Sequence, residues 1–288
     1  MFSVKRKNFP RHKMFHVKHF YRRLAIADHL SFDAPRYRHY NRCILYKGGV
    51  SMPIYNAPLP KVDAAETRRY AGLKRAAFDE EKICQAADEA ALLAAPRGIW
   101  QQYPYDSEHH TVVAAPEFPI VGRSIEKHLQ GCEAVIILAA TVGESIEEAV
   151  TQHFNAGEYA YAVLLDAAAT AAVEQVADAM EKTMRPAAAR SGCTMRWRYS
   201  PGYGDWPLTE QPHLIRLSQA EEIGIHLTES LMLWPRKSIT AIIGLAKKDA
   251  AAPPKPSPSG CAVCAKTDCL ARRQGAALAG SCPLGQEP

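Results

Sequence analysis

The chain predicts an α+β fold, a mixed or antiparallel twisted sheet with packed helices, and three observations carry that expectation. Glu133-Ala-Val-Ile-Ile-Leu-Ala-Ala140 is an almost unbroken apolar run, the mark of a strand buried on both faces. Leu164-Leu-Asp-Ala-Ala-Ala-Thr-Ala-Ala-Val-Glu174 sits in a long alanine-rich segment, and small side chains at helical spacing permit close helix packing. Helical and strand-like segments also interleave without strict βαβ alternation, which argues against a doubly wound parallel sheet.

Taken in order, Ala64 to Leu73 and Asp79 to Ala95 read as helices, with acids at the start, alanines inside and Pro96 as a stop. Gly98 to Tyr105 and Thr111 to Ala114 read as short strands. A helix over Ser124 to Gln130 leads through Gly131 into the apolar run. Thr141-Val-Gly143 then marks the exit from that strand and Ser145 the next helix start, since Ile146, Ala149, Val150 and Phe154 recur at helical spacing. A longer helix follows from about Glu158 to Met184. Beyond it the chain predicts a strand and turn over Arg196 to Pro207, a helical segment at Ser218 to Ile223, and one or two strands within Leu227 to Gly244, interrupted by Pro235.

Composition is that of an ordinary globular chain: 288 residues, 47% hydrophobic and 23% charged. No uninterrupted apolar run approaches the ~18 residues of a membrane span. The basic N-terminus lacks the apolar core and cleavage site of a secretory signal, so a cytoplasmic location is expected. The net charge of +5 conceals an asymmetry, because residues 1–51 hold 12 Lys and Arg against two acids while the remainder holds 23 against 28. A nucleic-acid reading therefore rests wholly on the leader, and neither nucleic acid nor membrane is expected as a partner. Two readings of residues 1–51 stand: a basic arm for acidic partners, or a segment outside the native chain, with Met52 as initiator. The second is the expectation, because the globular composition begins at Met52-Pro-Ile-Tyr55. The domain organisation expected is thus a leader at 1–51, a globular domain at 52–248, a Pro-rich linker at 249–260 and a Cys-rich tail at 261–288.

No G-x-G-x-x-G fingerprint and no G-x-x-x-x-G-K-[ST] phosphate loop occurs, which removes the common dinucleotide and nucleotide sites. Cys43, Cys84, Cys132 and Cys193 are scattered and read as isolated small thiols. The tail is different. Cys261-x2-Cys264-x4-Cys269, with Cys282 beyond, concentrates thiolates at a spacing that suits zinc or an iron–sulfur cluster, the competing reading being a redox-labile tail without metal.

The most unusual stretch is Arg196-Trp-Arg-Tyr-Ser-Pro-Gly-Tyr-Gly-Asp-Trp-Pro207. Two arginines around an aromatic, followed by Pro201-Gly202 between two tyrosines, describe cations and rings delivered to a tight turn that a ligand can approach closely. By strand alternation Arg196 and Arg198 can share a face. Together, Arg198-x-x-Pro-Gly-Tyr203 and Leu227-Thr-Glu-Ser…Trp-Pro235 resemble the S-adenosylmethionine-binding reactivation (activation) domain of cobalamin-dependent methionine synthase, in its free-standing bacterial form, over about residues 52–248. The resemblance implies that Arg198, Gly202 and Tyr203 serve S-adenosylmethionine, and that a helical glutamate, Glu174 by local pattern, joins them. The other reading of Glu174 is an ordinary solvated carboxylate.

Departures from the family pattern are also visible. Gly204-Asp-Trp-Pro207 replaces Pro-Ala-Cys-Pro, and Gly244-Leu-Ala-Lys-Lys248 offers no counterpart to a downstream tyrosine of the full-length synthases. No Asp-x-His-x-x-Gly motif is present, so cobalamin is expected on a partner. The function implied is reactivation of methionine synthase or a related corrinoid methyltransferase by reductive methylation of cob(II)alamin, with a donor such as flavodoxin or ferredoxin supplying the electron. No side chain is needed as a catalytic acid or base, because reduced cobalt is itself a strong nucleophile and positioning is the main device. A non-catalytic corrinoid-protein adaptor with a metal-binding tail is the alternative.

Overall fold

A computed structural model describes residues 54–56, 58–73 and 76–248; the leader, linker and Cys-rich tail lie outside the described residues. Helices α1 (Ala64–Tyr70) and α2 (Glu80–Leu93) begin where the acids predict. The side chain of Asp63 accepts from the Ala65 and Glu66 amides, and that of Asp79 from Glu81 and Lys82, so each satisfies donors that a helix start leaves unpaired.

The chain continues as β1 (Arg97–Asp106), β2 (Thr111–Val112), β3 (Phe118–Pro119), α3 (Arg123–Leu129), β4 (Cys132–Thr141), α4 (Ser145–Asn155), α5 (Tyr159–Arg190), β5 (Cys193–Met195), α6 (Gln211–Ser218), β6 (His226–Leu227), β7 (Leu233–Trp234) and β8 (Ser238–Lys247). Six strands form one sheet in the order β3-β2-β1-β4-β8-β5, and every pairing is antiparallel. The sheet expected to be mixed or antiparallel is therefore antiparallel. Strands β6 and β7 form a separate small hairpin.

The apolar run is β4, at the centre of the sheet between β1 and β8. Its alternate side chains enter two cores. Ala134, Ile136, Leu138 and Ala140 meet α2, α4 and α5 on one face, while Val135 and Ile137 meet α3 and α6 on the other. Val135, Ile136, Ile137 and Leu138 are all fully buried, each contributing roughly 1.5–3 kcal/mol of transfer free energy. That two-sided burial explains why the strand carries no polar alternation.

Helix α5 is the long spine of the first face. Its buried alanines, among them Ala162, Ala168, Ala169, Ala172 and Ala177, let it lie close on the sheet. The helix runs through Pro186 to Arg190, beyond the expected stop at Met184. Ala187 and Ala188 are buried after the proline, and this packing offsets the lost amide donor. By length and composition α5 could cross a membrane, but 61% of its most apolar window is buried within the protein, as in a core helix. Sequence periodicity missed α6, whose short span opens with Pro212 in its first turn; the expected helical segment at Ser218 to Ile223 is a 3-10 turn, Ala220–Ile223, that follows it. Among the scattered cysteines, Cys132 is a free buried thiol, whereas Cys84 and Cys193, read as thiols, are disulfide-bonded; Cys43 lies outside the described residues.

Gly244, within β8, marks a point of close packing. A Cβ there would lie 2.5 Å from Cys132 Sγ and 3.1 Å from Leu129 Cδ2. Gly244→Ala should therefore lower stability by about 1–3 kcal/mol through overpacking, read as a lower urea midpoint with an unchanged slope; an unaltered midpoint would show that Cys132 moves aside without cost.

Candidate functional site

The Arg196-to-Pro207 stretch leaves the sheet edge at β5, and one extra residue determines where its side chains go. The Arg196 amide donates to Gly244 O at 2.8 Å and the Tyr199 amide to Ile242 O at 3.0 Å. Three steps along this segment thus oppose two along β8, an irregularity of the β-bulge kind that inverts the alternation between the two arginines. The expectation that Arg196 and Arg198 can share a face fails for this reason. Arg196 is buried, its Nε donating to Cys132 Sγ at 3.2 Å and its Nη2 to Gln130 O at 2.6 Å. Arg198 reaches across to α5.

There Arg198 meets three carboxylates. Its Nη1 donates to Glu181 Oε1 at 2.6 Å, and its Nη2 to Glu174 Oε2 at 3.0 Å and Asp178 Oδ1 at 2.8 Å. Burial works against the arginine's charge, yet the attraction of Glu181, Asp178 and Glu174 prevails and raises its pKa further. Residues 174, 178 and 181 are spaced so that successive turns of α5 place them on one stripe. Arg185 continues the stripe by pairing with Glu181 Oε2 at 2.8 Å, and Asp166 and Thr170 extend it the other way. Lys237, at the end of the Trp234-Pro235 signature, pairs with Asp166 at 2.9 Å and bonds Thr170 at 3.0 Å. Arg236 and the Lys237 amide in turn hold the buried carboxylate of Glu147 on α4. Both sequence signatures are therefore fastened to the same stripe of α5.

The turn after Arg198 is built by backbone geometry. Gly202 has φ +89°, its amide donates to Trp206 O at 2.8 Å, and the Tyr203 amide donates to Ser200 O at 3.1 Å. Gly204, at φ +57°, lies where a Cβ would come within 2.6 Å of the Tyr199 hydroxyl. Only glycine combines that backbone region with that approach. Tyr203 is 53% exposed. Burial is the main cause that raises its phenol pKa, Glu174 adds a smaller push in the same direction and Arg198 opposes both, so the ring stands within the field of both charged groups.

Behind the turn, Tyr199, Trp206, His128 and Trp197 form an aromatic support. Ring centroids of His128 and Trp197 are 4.3 Å apart, those of Tyr199 and Tyr203 6.0 Å. Burial pushes the His128 pKa down to about 4, which keeps the imidazole neutral at physiological pH. Asp205 ties the turn to α3. Its two carboxylate oxygens accept from the Arg123 and Ser124 amides, both at 2.9 Å, and so cap a helix whose own N-cap, Gly122, has no side chain to do so.

Of the residues singled out by sequence, Glu174 and Arg198 meet directly and Tyr203 stands beside them, with Gly202 shaping the turn. Cys261, Cys264, Cys269 and Cys282 lie outside the described residues, among which no cluster of three or more His, Cys, Asp or Glu could hold a metal ion. Asp178 and Glu181 were missed. Their signal was legible, since Glu174-x3-Asp178-x2-Glu181 has helical same-face spacing, but nothing in the sequence paired that face with Arg198. A cleft of about 560 Å³ lies between α6, the turn after it and β6, lined by Pro212, Ile215, Arg216, Gln219, Glu221, Glu222, His226 and Leu227. It shares no residue with the Arg198 group.

Residues 121–251 match the family model described as vitamin B12 dependent methionine synthase, activation domain, a span that includes all four residues of the Arg198 group. A crystal structure of the MetH reactivation domain bound to AdoHcy is similar at 14% identity and a TM-score of 0.46, covering 70% of this chain and 80% of that one. No curated protein matches the chain.

Asp205 gives the site a measurable pH dependence. Its bonds to the Ser124 and Arg123 amides outweigh desolvation and hold the carboxyl below its ordinary value. A depressed pKa contributes stability that is present above the unfolded value near ~4 and disappears as pH falls through the folded value. Asp205→Ala should therefore unfold at lower urea than wild type at pH 7, with the gap closing below about pH 4; a gap of constant size at pH 3 would contradict the cap.

Proposed function

From the activation-domain signature of vitamin B12-dependent methionine synthase carried by residues 121–251, we propose that this chain binds S-adenosylmethionine and supports reductive methylation of cob(II)alamin held by a partner protein. The observation that carries the proposal is the pairing of Arg198 with Glu174 beside a glycine-shaped turn whose Tyr203 lies within the field of both.

The charges fit the ligand. S-adenosylmethionine presents a carboxylate, an ammonium and a sulfonium, so a site needs one cation and several anions. Arg198 supplies the cation. Its Nε makes no hydrogen bond among the described residues, and Glu174 Oε1 and Asp178 Oδ2 likewise remain open beside the two oxygens engaged by the guanidinium. The carboxylate would take an edge of Arg198, the ammonium would take Glu174, and the half-exposed ring of Tyr203 would cover the adenosine end. Gly202 keeps side-chain bulk away from the approach.

Cobalamin held by the partner would, after one-electron reduction by a donor of the flavodoxin or ferredoxin kind, supply the nucleophile that takes the methyl group, the electron pair of the broken carbon–sulfur bond staying on sulfur as a neutral thioether. This chain contributes position: it fixes the donor's amino-acid end so that the methyl group projects toward the corrinoid. The partner is the cobalamin-binding methionine synthase or a related corrinoid protein. On their spacing alone, Cys261, Cys264, Cys269 and Cys282 form part of this proposal as a zinc or iron–sulfur ligand set.

Two variants test the binding site by calorimetry with S-adenosylmethionine. Arg198→Ala should abolish measurable affinity, and Arg198→Lys, which keeps the charge but loses the planar fork, should weaken it by about tenfold or more. Circular dichroism establishes that each variant is folded; wild-type affinity in a folded Arg198→Ala protein would overturn the assignment.

A further inference from the structure

The corner where α2, α4 and α5 meet is fastened by one histidine. His153, near the end of α4, places Nδ1 2.5 Å from Glu158 Oε2 and Nε2 3.3 Å from Glu89 Oε1. Glu89 lies on α2, and its other oxygen accepts from the Tyr161 hydroxyl of α5 at 2.7 Å. The Tyr161 ring meets the imidazole edge-on, with centroids 4.7 Å apart. The backbone closes the same corner, since Gly157 takes φ +81° and the Glu158 amide donates to His153 O at 2.9 Å.

A carboxylate can only accept a hydrogen bond, so a ring nitrogen that faces one must donate. His153 faces a carboxylate from each ring nitrogen, and only the imidazolium donates from both. A neutral ring would keep one bond and set a lone pair against the other oxygen. We propose that His153 is a pH-sensitive clasp, which as the imidazolium binds α2 and the start of α5 to the end of α4 and, on releasing its proton to solvent, lets that corner open.

The charges around the ring favour the cation. α2 supplies Glu89, with Asp88 beside it, and the connection into α5 supplies Glu158. The one cation of α2, Lys82, stands seven residues, or about 10 Å, before Glu89, and α5 has no Lys or Arg before Lys182. Arg68 and Arg69 of α1 pair with Glu80 and Glu66, while Arg236 and Lys237 pair with Glu147 and Asp166. The bond to Glu158 holds the His153 pKa above its ordinary value, helped by Glu89 and opposed by burial. Burial and Glu89 raise the Tyr161 pKa, so the phenol keeps its proton throughout. A raised histidine pKa contributes stability that is fully present below the unfolded value near ~6.5 and is lost as pH rises through the folded value. Tyr161 stands thirteen residues, about 20 Å, from Glu174 along α5, so the clasp does not depend on the binding site proposed above.

NMR titration of the full chain reads the His153 ring directly. Its midpoint should lie above the ordinary value and fall in both Glu158→Gln and Glu89→Gln; a midpoint at or below that value, or one that neither variant moves, would overturn the proposal. Hydrogen exchange at the Glu158 amide, corrected for the intrinsic rate, reads the opening. In wild type its protection should fall by about threefold or more as pH rises through the midpoint, less so in high salt, and in His153→Gln it should not follow that midpoint. Equal protection on both sides of the wild-type midpoint would show a corner that stays shut and would equally overturn the clasp. Glu158 is 56% exposed, so its variant keeps the titration decisive where His153→Gln fails to fold.

Discussion

The guanidinium of Arg198 among the carboxylates of α5 is the interaction on which the functional reading depends. It joins the irregular edge of the sheet to the longest helix, and it does so with charges left partly exposed rather than sealed in the core. A structural ion pair reaches its greatest strength when its charges match and its hydrogen bonds are all made. This cluster has neither property. Three carboxylates meet the one guanidinium, and among the described residues Arg198 Nε, Glu174 Oε1 and Asp178 Oδ2 make no hydrogen bond. Those features suit a ligand bearing charges of both signs better than they suit stability alone.

The fold places this group through two separate devices. The first is the bulge between Arg196 and Tyr199, which sends one arginine into the α3 side and the other to α5. Without the extra residue Arg198 would lie on the same side of the sheet as Arg196, away from the carboxylates of α5. The second is the compact turn held by Gly202, Gly204 and the Asp205 cap, which fixes Tyr203 relative to Arg198. Alanine packing of α5 against the sheet then makes the opposite wall rigid. The helix thus serves as core on one side and as a charged surface on the other.

Much of this was legible in the sequence. The two-faced burial of β4 followed directly from its apolar run, and the acids at Asp63 and Asp79 announced the first two helices. Glu174 and Arg198 could be linked because family motifs named both. The failures have physical causes. Alternation assumes an unbroken strand, so it could not anticipate the bulge that separates Arg196 from Arg198. The long helix is expected to end near Met184, but burial of Ala187 and Ala188 beyond Pro186 outweighs the local penalty and carries it to Arg190. The α6 helix is too short to establish a period, and Asp178 and Glu181 became visible only once tertiary structure chose which face of α5 the arginine meets.

The most direct measurement is a crystal structure of the chain with S-adenosylmethionine. The account predicts the ligand's carboxylate within hydrogen-bonding distance of Arg198, its ammonium against Glu174 and its ring system beside Tyr203. Ligand bound instead in the α6 cleft, with Arg198 still committed to its three carboxylates, would contradict it.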